Sequence, residues 1–210
     1  MPGERNLVSA RGRETAHQVA LGGELPWGVG EDGGVETTYR VMTVCTGNIC
    51  RSPMAEVVLR AKLEEAGLGD VVEVDSTGIS DEEHGNPVDR RARTVLRAHG
   101  YPTGDGHRAR QVRPADLLAR DLLLPMTAAH ARALRRLAGD DPAVTDRIRM
   151  LRTFDPAAPA DPGQHEDVLD VDDPWYGPDA AFERTLAEIE AAADGIVEHV
   201  RAGLTARGHS

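Results

Sequence analysis

Apolar residues along this chain recur in two rhythms. Short apolar-rich runs at 39–44, 71–74, 122–126 and 148–151 have the length and composition of buried strands. Between and after them, apolar positions three and four apart predict helices at about 53–66, 89–99, 114–119, 127–137 and 179–204. Gly67 and Gly100 follow the first two helices as C-cap residues. In the last helix, Phe182, Leu186, Ile189, Ile196, Val197 and Val200 mark the apolar stripe. Alternating strands and helices predict an α/β fold, a parallel sheet covered by helices on both faces. Ligands of such sheets bind beyond the carboxyl ends of the strands, at a switch point, and the turn after the first strand is such a place.

The rhythm is absent at the start of the chain. Residues 1–34 include a glycine-dense stretch from Gly22 to Gly34 that matches neither period, so they are expected to form a disordered extension. Trp27 is the one residue there suited to docking on a partner. The folded domain is expected over 35–204, with 205–210 a short tail.

Within the first strand–helix turn, residues 45–53 read Cys-Thr-Gly-Asn-Ile-Cys-Arg-Ser-Pro. A strand, a tight Gly/Asn loop and a helix start together make an anion site. Backbone N–H groups converge there, the helix dipole is positive there, and Arg51 supplies a planar fork. Pro53 is expected at the first helical position and Ser52 at the N-cap. A thiol at Cys45, in that field, is expected to be a thiolate at neutral pH. The pattern implies a nucleophile aimed at a bound phosphate, with Thr46, Gly47, Asn48, Ile49, Cys50 and Ser52 wrapped around it.

Composition narrows the alternatives. A net charge of −11 argues against nucleic-acid binding, which needs a basic face. No run of 18 apolar residues exists to span a membrane, and residues 1–34 do not read as a secretory signal. The two cysteines, Cys45 and Cys50, share one loop, which is neither a disulfide framework nor a four-ligand zinc site. No metal or cofactor is expected, and a reducing cytoplasm fits best, with secretion that uses no signal peptide left open.

A second informative segment comes late. Asp172-Asp-Pro-Trp-Tyr-Gly177 places Trp175 and Tyr176 side by side in a Pro/Gly turn, in a chain with only two Trp and three Tyr. Aromatics in a polar loop suit the wall of a flat ligand. A carboxylate beside them suits general acid work. Together, Cys45-x-Gly-Asn-Ile-Cys-Arg-Ser-Pro-x-Ala-Glu56 and Asp173-Pro-Trp-Tyr176 resemble the low-molecular-weight protein tyrosine phosphatases of bacterial type. Asp75-Ser-Thr-Gly78, Arg97-Ala-His-Gly100 and His107-Arg-Ala-Arg-Gln111 extend the resemblance, which covers about 39–202.

The resemblance implies a four-stranded parallel sheet in the order 2-1-3-4 with helices on both faces, a phosphatase I-like fold. It implies Cys45 as nucleophile, Arg51 as phosphate clamp and Asp173, directly before the proline, as general acid and base. It also implies that Ser52 hydrogen-bonds the thiolate, that Asn48 holds the loop backbone, and that Ser76 and His107 stand behind the loop. Cys50 beside Cys45 is expected to make the site redox-sensitive. The implied partners are phosphotyrosine-containing proteins, a bacterial tyrosine kinase among them, and the chain is expected to be a monomer or weak dimer.

Three features depart from the family pattern. Glu82 or Glu83 stands where an aromatic wall residue is common, and Thr127 where the third strand often ends in Asp. The segment 155–168 is longer and richer in proline than the motif requires. Rival functions on this fold are a protein-arginine phosphatase and a thiol-dependent arsenate reductase, and from another class, a phosphotyrosine-binding module with little turnover. The reductase chemistry needs resolving cysteines outside the loop, and there are none.

Overall fold

The computed structural model describes residues 38–139, 141–159 and 165–208. The extension assigned to 1–34 lies outside the described residues. Three strands, β1 (Tyr39–Cys45), β2 (Val72–Gly78) and β3 (Leu122–Pro125), form a parallel sheet in the order β2-β1-β3. Six α-helices accompany them among the described residues: α1 (Arg51–Glu65), α2 (Arg90–Ala98), α3 (Pro114–Leu118), α4 (Ala128–Ala138), α5 (Pro142–Thr145) and α6 (Asp179–Ala206). The expected tail is shortened, since α6 runs on to Ala206 before ending at Arg207.

Alternation along the strands sorts side chains between two cores. Val41, Leu122 and Leu124 pack with α1, α2 and α6, including Met54, Leu59, Leu96, Phe182 and Ile189. Met42, Val44 and Leu123 face the other way, with Leu117 of α3, Leu134 of α4 and Val144 of α5. Helices on both faces are as expected from the sequence.

The fourth strand is not. Ile148 makes a single parallel bridge to Leu123, through Leu123 N–H to the Arg147 carbonyl and Arg149 N–H to the Leu123 carbonyl, each at 2.9 Å. The next rung needs an N–H on residue 125, and Pro125 has none. The chain then tightens into a 3-10 turn at Leu151–Phe154. The fourth position in the sheet is therefore occupied, in the expected place, by one residue. β2 differs in the opposite sense: it runs beyond Val74 through Asp75-Ser-Thr-Gly78, paired with β1 as far as Cys45 opposite Gly78. No helix among the described residues is long and apolar enough to cross a membrane.

Candidate active site

Cys45 ends β1 and Arg51 begins α1, so the intervening loop turns at the carboxyl edge of the sheet. The Cys45 Sγ accepts the Asn48 N–H at 3.3 Å and lies 3.1 Å from the Ser52 hydroxyl. Asn48 has φ +61°, a left-handed conformation found at no other described non-glycine residue and tolerated by Asn better than by most side chains. Its other polar groups are also engaged. Nδ2 donates to Ser52 Oγ at 3.0 Å and to Ser76 Oγ at 2.9 Å, while Oδ1 accepts the Arg110 N–H at 3.0 Å. Its carbonyl accepts from His107 Nε2 at 2.7 Å, which places the ring hydrogen on that nitrogen.

Behind this layer, Ser76 donates to Glu56 Oε2 at 2.5 Å. Arg110 is braced by Asp75, which also takes two bonds from Arg120. Burial pushes the Asp75 carboxyl up, but its bonds to Arg120 and Arg110 outweigh that and leave it below its ordinary value. Gly78 closes the back of the loop. A Cβ there would stand 2.5 Å from the Thr46 carbonyl oxygen, so only glycine fits.

Ser52 has one hydroxyl proton and two places for it. Its oxygen lies 3.2 Å from the Thr77 carbonyl as well as 3.1 Å from Cys45 Sγ. A Cys45 thiol can donate to Ser52 while Ser52 donates to Thr77. A thiolate can instead take the Ser52 proton as a hydrogen bond.

Arg51 is buried and links this loop to the late one. Its Nη1 donates to the Val171 carbonyl at 3.2 Å, and its Nη2 meets Asp173 Oδ2 at 2.6 Å and lies 3.4 Å from Thr46 Oγ1. The other Asp173 oxygen accepts the Trp175 N–H at 3.1 Å, an Asx turn opening at the Asp-Pro step. Cys45, Arg51, Asp173, Ile49, Trp175 and Tyr176 line one cleft, with Glu82 and Glu83 on it as well. Trp175 is 37% exposed and Tyr176 92% exposed, so Tyr176 lies at the mouth, not in the wall. A larger groove of about 560 Å³ beside α1 and β2, lined by Arg60, Glu64, Asp70 and Glu73, contains no cysteine, serine, threonine or histidine.

Two titratable groups beside the cleft are displaced from their ordinary values. The Cys50 thiol is pushed up by burial and then by Asp89, Cys45 and Asp173, so it stays protonated. His130 is pushed down to about 3, by burial first and by the Arg51 charge second, so its ring is neutral. His130 Nε2 lies 3.0 Å from Thr46 Oγ1, and Nδ1 is buried with no partner. A buried orphan N–H is rarer than a buried orphan acceptor, so the hydrogen belongs on Nε2, which donates to Thr46.

Cys45 to Ser52 form this loop or the helix start that closes it, Ser76 and His107 stand directly behind it, and Asp173, Trp175 and Tyr176 line the same cleft from the late loop. Trp27 lies outside the described residues. Ser52 corrects one expectation: α1 starts at Arg51 with Cys50 at its N-cap, so Ser52 and Pro53 are the second and third helical residues. Proline is still accommodated, because the first-turn N–H groups of a helix have no intrahelical partner. Thr127, in the place of the common Asp, caps α4 by accepting the His130 N–H at 3.2 Å, and Asp170 accepts the Ala128 N–H at 2.7 Å beside it. Sequence reasoning did not assign roles to Glu56, Arg110 and His130. Glu56 carried a signal, one helical turn after Ser52, whereas His130 stands 84 residues from Thr46 and offered none.

The sequence profile for the low molecular weight phosphotyrosine protein phosphatases matches residues 40–206. The chain belongs to this family. It is 48% identical over 81% of its length to low molecular weight protein-tyrosine phosphatase A of Mycobacterium tuberculosis, covering 96% of that protein. It is 46% identical over 78% of its length to a low molecular weight protein-tyrosine-phosphatase of Streptomyces coelicolor, covering 94% of that protein. Among solved structures, a protein tyrosine phosphatase from Entamoeba histolytica with Hepes in its active site superimposes with a TM-score of 0.71. It is 25% identical, over 79% of this chain and 99% of that one.

Proposed function

We propose that this phosphatase-family chain hydrolyses protein phosphotyrosine through a phosphocysteine. The observation that carries the reading is the convergence of a thiol, a buried arginine and an Asp-Pro carboxylate on one cleft, with Arg51 touching both loops. The Cys45 thiolate attacks phosphorus in line and the bond from phosphorus to the tyrosyl oxygen breaks. Asp173 gives its proton to that oxygen as it leaves. Water then attacks phosphorus, Asp173 takes a water proton, the S–P bond breaks, and phosphate departs with the thiolate restored. Arg51 and the loop N–H groups hold the equatorial oxygens throughout, the electrostatic positioning on which phosphoryl transfer depends. For Asp173 to reach the leaving oxygen, its bond to Arg51 must be exchanged for one between Arg51 and the substrate phosphate.

Initial rates on p-nitrophenyl phosphate at acidic pH test the reading. Cys45→Ser should abolish turnover while retaining phosphate as a ligand; an active Cys45→Ser protein would overturn it. Ile49 favours phosphotyrosine over phosphoarginine. Its branched apolar side chain lines the cleft and suits a phenyl ring, but leaves guanidinium N–H groups unpaired at about 1–3 kcal/mol each. Ile49→Thr should shift the ratio of kcat/KM values towards phosphoarginine peptides. Wild type already faster on phosphoarginine than on phosphotyrosine peptides would reverse the assignment.

The two free thiols in one loop fit a reducing cytoplasm. The substrates are read as phosphotyrosine proteins, a tyrosine kinase among them, met by a monomer or weak dimer.

A further inference from the structure

Arg91, in the first turn of α2, is not part of the chemistry above, yet it touches the loop that carries Asp173. Its Nη1 donates to the Trp175 carbonyl at 3.2 Å and the Gly177 carbonyl at 3.4 Å, and its Nη2 donates to the Trp175 carbonyl at 3.2 Å. The guanidinium lies 5.5 Å from the Trp175 ring centre and 4.5 Å from that of Phe182, a fully buried residue of α6. Asp89 holds the other side. Its Oδ1 accepts Arg91 Nε at 3.2 Å and the Arg91 N–H at 2.7 Å, the latter as the N-cap of α2. The Asp89 backbone N–H, in turn, donates to the Ile49 carbonyl at 2.8 Å.

These contacts make one bonded path from the thiol loop to the acid loop: Ile49, Asp89, Arg91, Trp175. Few others exist. The Asp172 carbonyl is reached by Thr185 Oγ1 at 3.5 Å. Beyond it, the Trp175 and Gly177 N–H groups bond only within the turn, to Asp173 and the Pro174 carbonyl. Among the described residues, the hydrogen bonds that reach 173–177 from outside come from Arg51 and Arg91 alone. Arg51 must turn to the phosphate during the reaction, which leaves Arg91 as the contact that stays.

We propose that Arg91 is a positioning residue for the general acid: it fixes the backbone of Trp175–Gly177, and so the height of Asp173 above Cys45. The proposal rests on the acid role assigned to Asp173. A fork suits the task, because it bonds two carbonyls while lying flat on an aromatic face, and lysine offers neither. An ångström of displacement at a reacting group costs roughly a hundredfold in rate.

The test compares phenyl phosphate, whose leaving group needs a proton, with p-nitrophenyl phosphate, whose leaving group hardly does. Arg91→Ala should lower kcat/KM, which reads the phosphoryl-transfer step to Cys45 alone, by roughly ten- to a hundredfold on phenyl phosphate, with a much smaller fall on p-nitrophenyl phosphate. Arg91→Lys should show the same asymmetry more weakly, and covers the case that the alanine variant folds poorly. In an Asp173→Ala background, Arg91→Ala should cost nothing further on phenyl phosphate. Equal losses on the two substrates, or losses that multiply with Asp173→Ala, would overturn the proposal. Asp173→Ala alone reads the parent assignment: equal losses there would remove the acid role itself, whatever Arg91 does.

Discussion

The two loops that meet in the cleft are built on opposite terms. In the thiol loop every polar group of Asn48 is bonded, and Cys45, Asn48, Ile49, Cys50, Arg51 and Ser52 are all buried. The acid loop has Tyr176 almost fully in solvent and is reached, beyond Asp172, by two arginines. The difference follows from the two tasks. Charge on phosphorus-bound oxygens needs donors that are in place before reaction and do not reorganise. The acid must leave Arg51, serve a departing oxygen and then a water, so a segment with few bonds to the rest suits it.

The comparison breaks most visibly at the acid. Asp173→Ala should lower kcat/KM on phenyl phosphate by roughly two to four powers of ten, and less on p-nitrophenyl phosphate. Its melting temperature should hardly move, since the Asp173 side chain is 40% exposed. A large fall in melting temperature would mean the acid loop is as structural as the thiol loop.

Asn48→Ala should do the reverse. It keeps a strained φ and strands several buried partners, each worth about 1–3 kcal/mol when left unpaired, so thermal unfolding should shift down by several degrees. Turnover should fall by a similar factor on both aryl phosphates. An unchanged melting temperature would show that Asn48 does not hold the loop.

A smaller effect is expected from His130. Its folded value of about 3 lies below the ordinary 6.5, so between those limits the unfolded chain binds a proton that the folded chain refuses. Stability is therefore lost as pH falls below about 6.5, at up to about 1.4 kcal/mol per pH unit for this one group. Urea unfolding of His130→Gln between pH 7 and 4 should show a shallower decline than wild type. Parallel declines would place the acid sensitivity elsewhere.

Cys50 gives the finest distinction. Under peroxide, a reversible disulfide with Cys45 should spare the nucleophile, so Cys50→Ala should be inactivated more irreversibly than wild type. Equal recovery with thiol would remove that protective role.

The thiol loop was legible because its information is contiguous: nine residues from Cys45 to Pro53 hold the nucleophile, the clamp and the turn. The acid was legible from an aromatic pair misplaced in a polar turn. What stayed hidden depends on distant partners. Nothing near His130 announces Thr46, and Arg91 reads as one arginine among several on a basic helix. The polar run Asp75–Gly78 hid the second half of β2, because Ser76 is buried for its bond to the loop and Thr77, polar as it is, packs its side chain against Met42 in the core. Ile148 has the surroundings of a strand, and Pro125, two residues past its partner Leu123, limits that strand to one rung.

The central claim is that the thiol loop supplies a covalent step and the acid loop a proton. Trapping tests it directly: excess p-nitrophenyl phosphate is mixed with enzyme, quenched by denaturation within the first turnover, and the phosphate located by mass spectrometry. The expected result is a burst of p-nitrophenolate with phosphate on Cys45, and neither in Cys45→Ser. A burst with no phosphate on the protein, or with phosphate on another residue, would contradict the account.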